Sequence, residues 1–120
     1  MSVTIYHNPR CSKSRQTMEV LEEHGIKPDV IEYLKTPPDT KTLKKIIDLL
    51  GIEARQLLRT QEAELVQAGL TKEGVKRNEY SEEQLIEAMV KFPKLIERPI
   101  VVSNGKAVIG RPPSQVLDII

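Results

Sequence analysis

The sequence predicts an α/β fold, one domain over residues 1–120 with a small mixed four-stranded sheet and a helical insertion at about residues 39–93. Three observations carry this. Short β-branched or apolar runs open the chain (Val3-Thr4-Ile5-Tyr6) and recur near its end, at residues 99–102 and 107–109. Asn104-Gly105, between the last two, is the strongest short signal for a hairpin. Between the second and third strands the apolar residues take helical spacing.

The first strand, residues 3–6, is broken by Asn8-Pro9. From Ser12 to His24 the pattern is helical, with Met18 and Leu21 on one face and Gly25 ending it. Val30-Ile31 with Tyr33-Leu34 is the second strand. Thr36-Pro37-Pro38-Asp39 is a helix start: Thr36 can cap, Pro37 suits the first helical position and Asp39 supplies the acid of a capping box. The helix it opens carries Leu43, Ile46, Ile47 and Leu50 at i, i+3, i+4 and i+7, and stops at Gly51. Residues 54–59 make a further turn or two of helix, and the polar stretch 69–80 a loop with broken helix. Ser81-Glu82-Glu83-Gln84 is a second capping box, followed by Leu85, Ile86, Met89 and Val90 on one face. After the hairpin, Pro112-Pro113 opens a last short helix that carries Val116, Leu117, Ile119 and Ile120. The order β-α-β, helical insert, β-β-α is the thioredoxin-like order.

Composition excludes several functions. With 18 basic and 17 acidic residues the net charge is +1, so no general attraction to nucleic acid or membrane is expected. The N-terminus lacks the basic cluster and apolar stretch of a signal peptide, and no apolar run approaches the roughly 20 residues of a membrane helix. A cytoplasmic location and a monomer are the expectations. One cysteine makes no internal disulfide, and with two distant histidines, His7 and His24, it makes no zinc site. No bound metal or cofactor is expected.

The cysteine lies where a thiol has most to gain. Cys11 stands between the first strand and the first helix, where unpaired N–H groups and the positive end of the helix dipole favour a thiolate. His7, Arg10, Lys13 and Arg15 flank it, and no acid precedes Glu19. A lone cysteine is ordinarily a small buried hydrophobe. The polar Asn-Pro-Arg-Cys-Ser-Lys-Ser-Arg setting points instead to a reactive one. Position 14 is Ser, so a C-x-x-C disulfide is excluded and any redox cycle must borrow an outside thiol. The sixth residue after Cys11 is Thr17, not Arg, so a phosphatase-type C-x5-R loop is unsupported. An oxyanion remains a natural ligand of such a helix start. Ser12 and Ser14 could help hold it, and Ser12 could equally be a plain helix cap.

Three arginines far from Cys11 complete the candidate set. Residues 1–18, 54–61 and 98–117 contain no acid, and Arg59, Arg98 and Arg111 lie in the last two of these stretches. From its Leu57-Leu58-Arg59 setting, Arg59 could simply be a solvated or snorkelling side chain. Thioredoxin-like folds place a cis-proline at the start of the third strand beside the cysteine loop. With Pro99 in that position, Arg98 points toward Cys11, where a planar guanidinium suits bidentate binding of a tetrahedral oxyanion.

Five segments together resemble the glutaredoxin-coupled arsenate reductase (ArsC) family. They are His7-Asn8-Pro9-Arg10-Cys11-Ser12-Lys13-Ser14-Arg15, Tyr33-Leu34-x-Thr36-Pro37, Leu57-Leu58-Arg59, Glu97-Arg98-Pro99-Ile100-Val101-Val102 and Gly110-Arg111-Pro112. The likeness covers nearly the whole chain and is closest to a short bacterial branch often labelled YfgD. It implies a catalytic Cys11, functional arginines at Arg59, Arg98 and Arg111, and supporting roles for His7 and Ser14. It also implies a mechanism. The Cys11 thiolate attacks arsenate to form a thiol-arsenate adduct, glutathione displaces oxygen from it, glutaredoxin reduces the mixed species, and arsenite leaves. Glutathione is then a co-substrate and glutaredoxin a partner.

This chain departs from better-known members, which have Gly-Thr where Ser12-Lys13 stand and which extend beyond the last helix. Lys13, with Arg15, adds positive charge beside the substrate position. Two alternatives stand beside arsenate reduction: a glutathione-dependent thiol oxidoreductase acting on another substrate, and a regulator like the Spx proteins, which share the fold and bind RNA polymerase but switch through C-x-x-C.

Overall fold

The computed structural model describes residues 2–120, which form two compact units: residues 2–36 with 98–120, and Pro37–Glu97. The first unit is a four-stranded sheet of β1 (Val3–His7), β2 (Asp29–Glu32), β3 (Ile100–Ser103) and β4 (Lys106–Ile109) in the order β2-β1-β3-β4. β1 runs parallel to β2 and antiparallel to β3, and β3 is antiparallel to β4. This is the mixed thioredoxin-like sheet that the element order predicts.

Strand alternation and helix periodicity together place the site. Side chains along β1 alternate, so Val3, Ile5 and His7 share one face. Helix α1 (Ser12–Glu23) turns Ser14, Thr17 and Leu21 inward at i, i+3 and i+7. Leu21 joins Val3, Ile5, Val101, Val116 and Ile119 in the core, with Met18 and Val108 packed against them. The C-terminal segment Pro113–Asp118 is a 3-10 helix that packs along α1. The helix expected there is therefore present but of the tighter kind. The second strand is shorter than its apolar run suggests: it ends at Glu32, and Tyr33 lies in a turn with its side chain buried.

The second unit is helical: α2 (Thr40–Leu50), α3 (Ala54–Leu57), α4 (Glu64–Gln67), α5 (Lys72–Lys76) and α6 (Glu82–Lys91), then a 3-10 turn at Pro93–Leu95. α6 packs on both α2 and α3. Of the predicted stripe, Leu43, Ile46 and Ile47 are buried and Leu50 is half-buried, and Gly51 closes α2 in the left-handed region at φ 68°. Thr36 does not cap α2. Asp39 does, its carboxylate accepting the Thr42 N–H at 2.8 Å, because the helix begins three residues later than the two prolines suggest. The Ser81–Gln84 box forms as expected, with Gln84 N–H donating to Ser81 Oγ at 3.1 Å and Ser81 N–H to Gln84 Oε1 at 2.9 Å. Among the described residues no helix is long and apolar enough to cross a membrane.

Candidate active site

The loop between β1 and α1 is built by Asn8. Its side-chain oxygen accepts the Arg10 N–H at 3.0 Å, and its carbonyl accepts the Cys11 N–H at 3.0 Å. These two bonds fold the chain back so that Cys11 becomes the N-cap residue of α1, in an extended conformation. Ser12 is thus the first helical residue and exposed, so the cap position assigned to it as one option falls on the cysteine.

The Cys11 thiol is partly exposed and uncoupled from any disulfide. Burial pushes its pKa up. The N–H groups of Ser14 and Lys13, which stabilise charge on the sulfur, outweigh this together with the charge and hydrogen bonding of Arg98. The net result holds the thiol below its ordinary value. The main-chain start of α1 and the Arg98 guanidinium therefore both favour the thiolate.

Arg98 and Arg111 reach the same place from the two ends of the hairpin. The Arg98–Pro99 and Arg111–Pro112 peptide bonds are both cis, the first being the one expected. Arg111 Nε donates to the Arg98 carbonyl at 2.8 Å, and Arg111 Nη2 lies 3.8 Å from Cys11 Sγ. Arg111 is exposed and Arg98 half-buried, so one guanidinium faces solvent over the thiol and the other lies deeper.

His7 and Ser14 support the loop from below. His7 Nδ1 is 2.6 Å from Ser14 Oγ, which also accepts the Asn8 N–H at 3.1 Å. Burial lowers the His7 pKa, and Glu32, its neighbour across β1 and β2, offsets this only in part. The neutral ring can then accept the Ser14 proton at Nδ1, leaving the hydroxyl oxygen for Asn8. Ser14 is fully buried, so it serves the loop and not the solvent side of the site.

Arg10, Lys13 and Arg15 are exposed around the thiol, Arg15 Nη1 reaching the Pro9 carbonyl at 3.5 Å. Arg59 belongs to the helical unit. It follows a short antiparallel bridge between Leu58 and Ile96, and there it pairs with Glu97 at 2.8 Å and Glu62 at 3.2 Å. Those carboxylates come from outside its acid-free stretch. Among the described residues no group of three or more His, Cys, Asp or Glu is placed to hold a metal ion.

Two features of the site lie outside the predicted set. Asn8 is a loop builder rather than only a strand breaker, and the Asn-Pro pair preceding a polar helix start is the signal that could have shown it. The buried Thr17 meets Gly110, 93 residues away, a contact with no local sequence signature.

The comparisons agree with this architecture. The sequence profile of the ArsC family matches residues 6–119. Escherichia coli (strain K12) has a protein named "Uncharacterized protein YfgD" that is 53% identical over 119 residues, covering 98% of this chain and 96% of that one. An arsenate reductase of Haemophilus influenzae is 44% identical over 121 residues and 100% of both chains. The solved structure of an arsenate reductase from Vibrio cholerae superposes with a TM-score of 0.90 at 48% identity, covering 100% of this chain and 98% of that one. The chain belongs to the ArsC family.

Proposed function

We propose that this protein reduces arsenate to arsenite through a Cys11 thiol-arsenate adduct, with glutathione and glutaredoxin as reductants. The carrying observation is the grouping of a thiol with lowered pKa, the N–H groups of Lys13 and Ser14, and the guanidiniums of Arg98 and Arg111. The names of relatives at 40% identity and above support it.

The thiolate attacks arsenic and an arsenate oxygen leaves as water, so a sulfur–arsenic bond replaces an oxygen–arsenic bond. Glutathione then replaces a second oxygen, again released as water. A glutaredoxin thiolate attacks the glutathione sulfur, and the sulfur–arsenic bond breaks with its electron pair going to arsenic. Arsenic falls from the +5 to the +3 state, and the two thiols become one mixed disulfide. Water releases arsenite and returns Cys11 to the thiol. The balance is arsenate plus two thiols giving arsenite, a disulfide and water. Positive charge from Arg98 and Arg111 offsets the charge that builds on the arsenate oxygens as sulfur attacks. Lys13 and Arg15 add to the field that gathers the anion, and Arg59 is assigned a functional role by family resemblance.

The test is arsenite formation from arsenate with glutathione and glutaredoxin, beside Cys11→Ser. Turnover by the wild-type protein and none by the variant is expected. No arsenite from the wild-type protein would overturn the proposal, and reduction of a glutathione mixed disulfide without arsenate would favour the thiol oxidoreductase in its place.

A further inference from the structure

A close contact in which neither arginine takes part lies between α1 and the two ends of the hairpin. Thr17 is fully buried on α1, one turn beyond Ser14. Its hydroxyl donates to the Lys13 carbonyl at 2.8 Å and lies 3.5 Å from the Gly110 carbonyl. Gly110 is buried too, and its N–H donates to the Pro99 carbonyl at 2.9 Å. A Cβ built on Gly110 would stand 2.5 Å from Thr17 Oγ1, 3.2 Å from Thr17 Cγ2 and 2.9 Å from Pro99 Cγ. Glycine is required here by close approach.

The neighbours of this contact carry the chemistry. Gly110 is followed by Arg111, Pro99 is preceded by Arg98, and Thr17 rides on the helix whose first turn holds Cys11. Neither clashing partner is the far end of a flexible side chain. Thr17 is β-branched inside a helix, with few rotamers available, and Pro99 is a ring. A methyl group on Gly110 therefore requires Thr17 or Pro99 to shift, and with so few rotamers open the displacement is expected to reach α1 and the hairpin ends.

We infer that Gly110, seated against Thr17 and Pro99, is a positioning residue that sets the distance from Arg98 and Arg111 to the Cys11 sulfur. The inference deepens the proposed arsenate reduction and rests on it for its consequence in turnover. The geometry of the thiol itself does not depend on that reading.

The experiment is a cycle of four proteins: wild type, Gly110→Ala, Thr17→Ala and the double variant. Cys11 is the single cysteine, so iodoacetamide alkylation against pH reports it alone. Gly110→Ala is expected to raise the alkylation midpoint by about half a unit or more, since the sulfur loses nearby positive charge. The same variant should lose about tenfold or more in kcat/KM for arsenate. On the Thr17→Ala background, where Oγ1 and Cγ2 are gone and only the 2.9 Å approach to Pro99 Cγ remains, Gly110→Ala should shift the midpoint by less than half as much. A folded Gly110→Ala protein with the wild-type midpoint would overturn the inference, as would equal shifts on the two backgrounds. If Gly110→Ala does not fold, the double variant decides: a folded protein with the midpoint of Thr17→Ala supports the inference, and failure to fold on both backgrounds overturns it. A wild-type protein inactive on arsenate would remove the proposed activity and leave the alkylation comparison intact.

Discussion

Arg111 Nη2 lies 3.8 Å from Cys11 Sγ although the two residues are 100 positions apart, and the same guanidinium donates through Nε to the Arg98 carbonyl. One side chain thus ties the two ends of the hairpin together and faces the thiol. Arg98→Ala and Arg111→Ala should each lower arsenate turnover by more than about tenfold, near 1.4 kcal/mol in the barrier. Steady-state kcat/KM for both variants checks this, and near wild-type values would remove both from the site. Arg111→Lys should not rescue, because a point charge cannot make the Nε bond and face the sulfur together.

The Cys11 thiol is held below its ordinary value of 9.0 by the N–H groups of Ser14 and Lys13 and by Arg98, against burial. The rate of alkylation should therefore rise with pH and level off, with its midpoint under that value. Arg98→Ala removes a stabilising charge from the thiolate, so the midpoint should move up. A wild-type profile equal to that of a simple thiol would contradict the origin of the activation given above.

The legible part of the fold is what local pattern encodes. The first three members of the α2 stripe (Leu43, Ile46 and Ile47), the Ser81–Gln84 box and the Asn104-Gly105 turn appear where spacing and residue type put them. The cysteine at a helix start and the acid-free stretch around Arg98 and Arg111 also came from sequence. Long-range contacts did not. The Gly110–Thr17 approach depends on how β4 leaves the sheet beside α1, and no periodicity records that. The same holds for Arg59, whose partners Glu62 and Glu97 meet it only because Leu58 and Ile96 form a bridge. Asp39 displaced Thr36 as a cap because two caps compete over four residues and hydrogen-bond geometry chooses between them.

Ser14 carries two bonds in a fully buried position, to His7 Nδ1 and from the Asn8 N–H. Ser14→Ala leaves both groups without that partner. The expected cost is about 1–3 kcal/mol, measured by urea denaturation. Loss of less than about 0.5 kcal/mol would mean that water replaces the hydroxyl.

His7 predicts a pH dependence of stability. Burial lowers its folded pKa below the 6.5 of a free imidazole. As pH falls through that value the unfolded chain takes up a proton that the folded chain still resists. Stability should therefore be full above this range and fall as the solution is acidified toward the lower, folded value. His7→Gln should flatten this part of the profile. Asp39, whose carboxyl is lowered mainly by the Thr42 N–H, contributes stability that is lost as pH falls below its ordinary 3.8, well under the 6.5 at which the His7 window opens. Melting temperature followed downward from about pH 8 reads the opening of the His7 window. An unchanged slope in His7→Gln would assign it to another group.

The helical unit offers a prediction that should leave the chemistry untouched. Ser81 Oγ accepts the Gln84 N–H, and the Gln84 side chain returns the bond to the Ser81 N–H, closing both ends of the box at the start of α6. α6 in turn carries Leu85, Ile86 and Met89 into the core and packs on α2 and α3, so its first turn anchors much of the unit. Ser81→Ala removes one arm of the box while Gln84 keeps the other. The expected loss is about 1 kcal/mol by denaturation. Ser81→Asp should retain most of it, since a carboxylate also caps and suits the positive end of the helix. The alkylation midpoint of Cys11 should be the same in all three proteins. A midpoint that moves with Ser81→Ala would show that the start of α6 bears on the thiol, and a fall in stability without that movement would confine the effect to the helical unit.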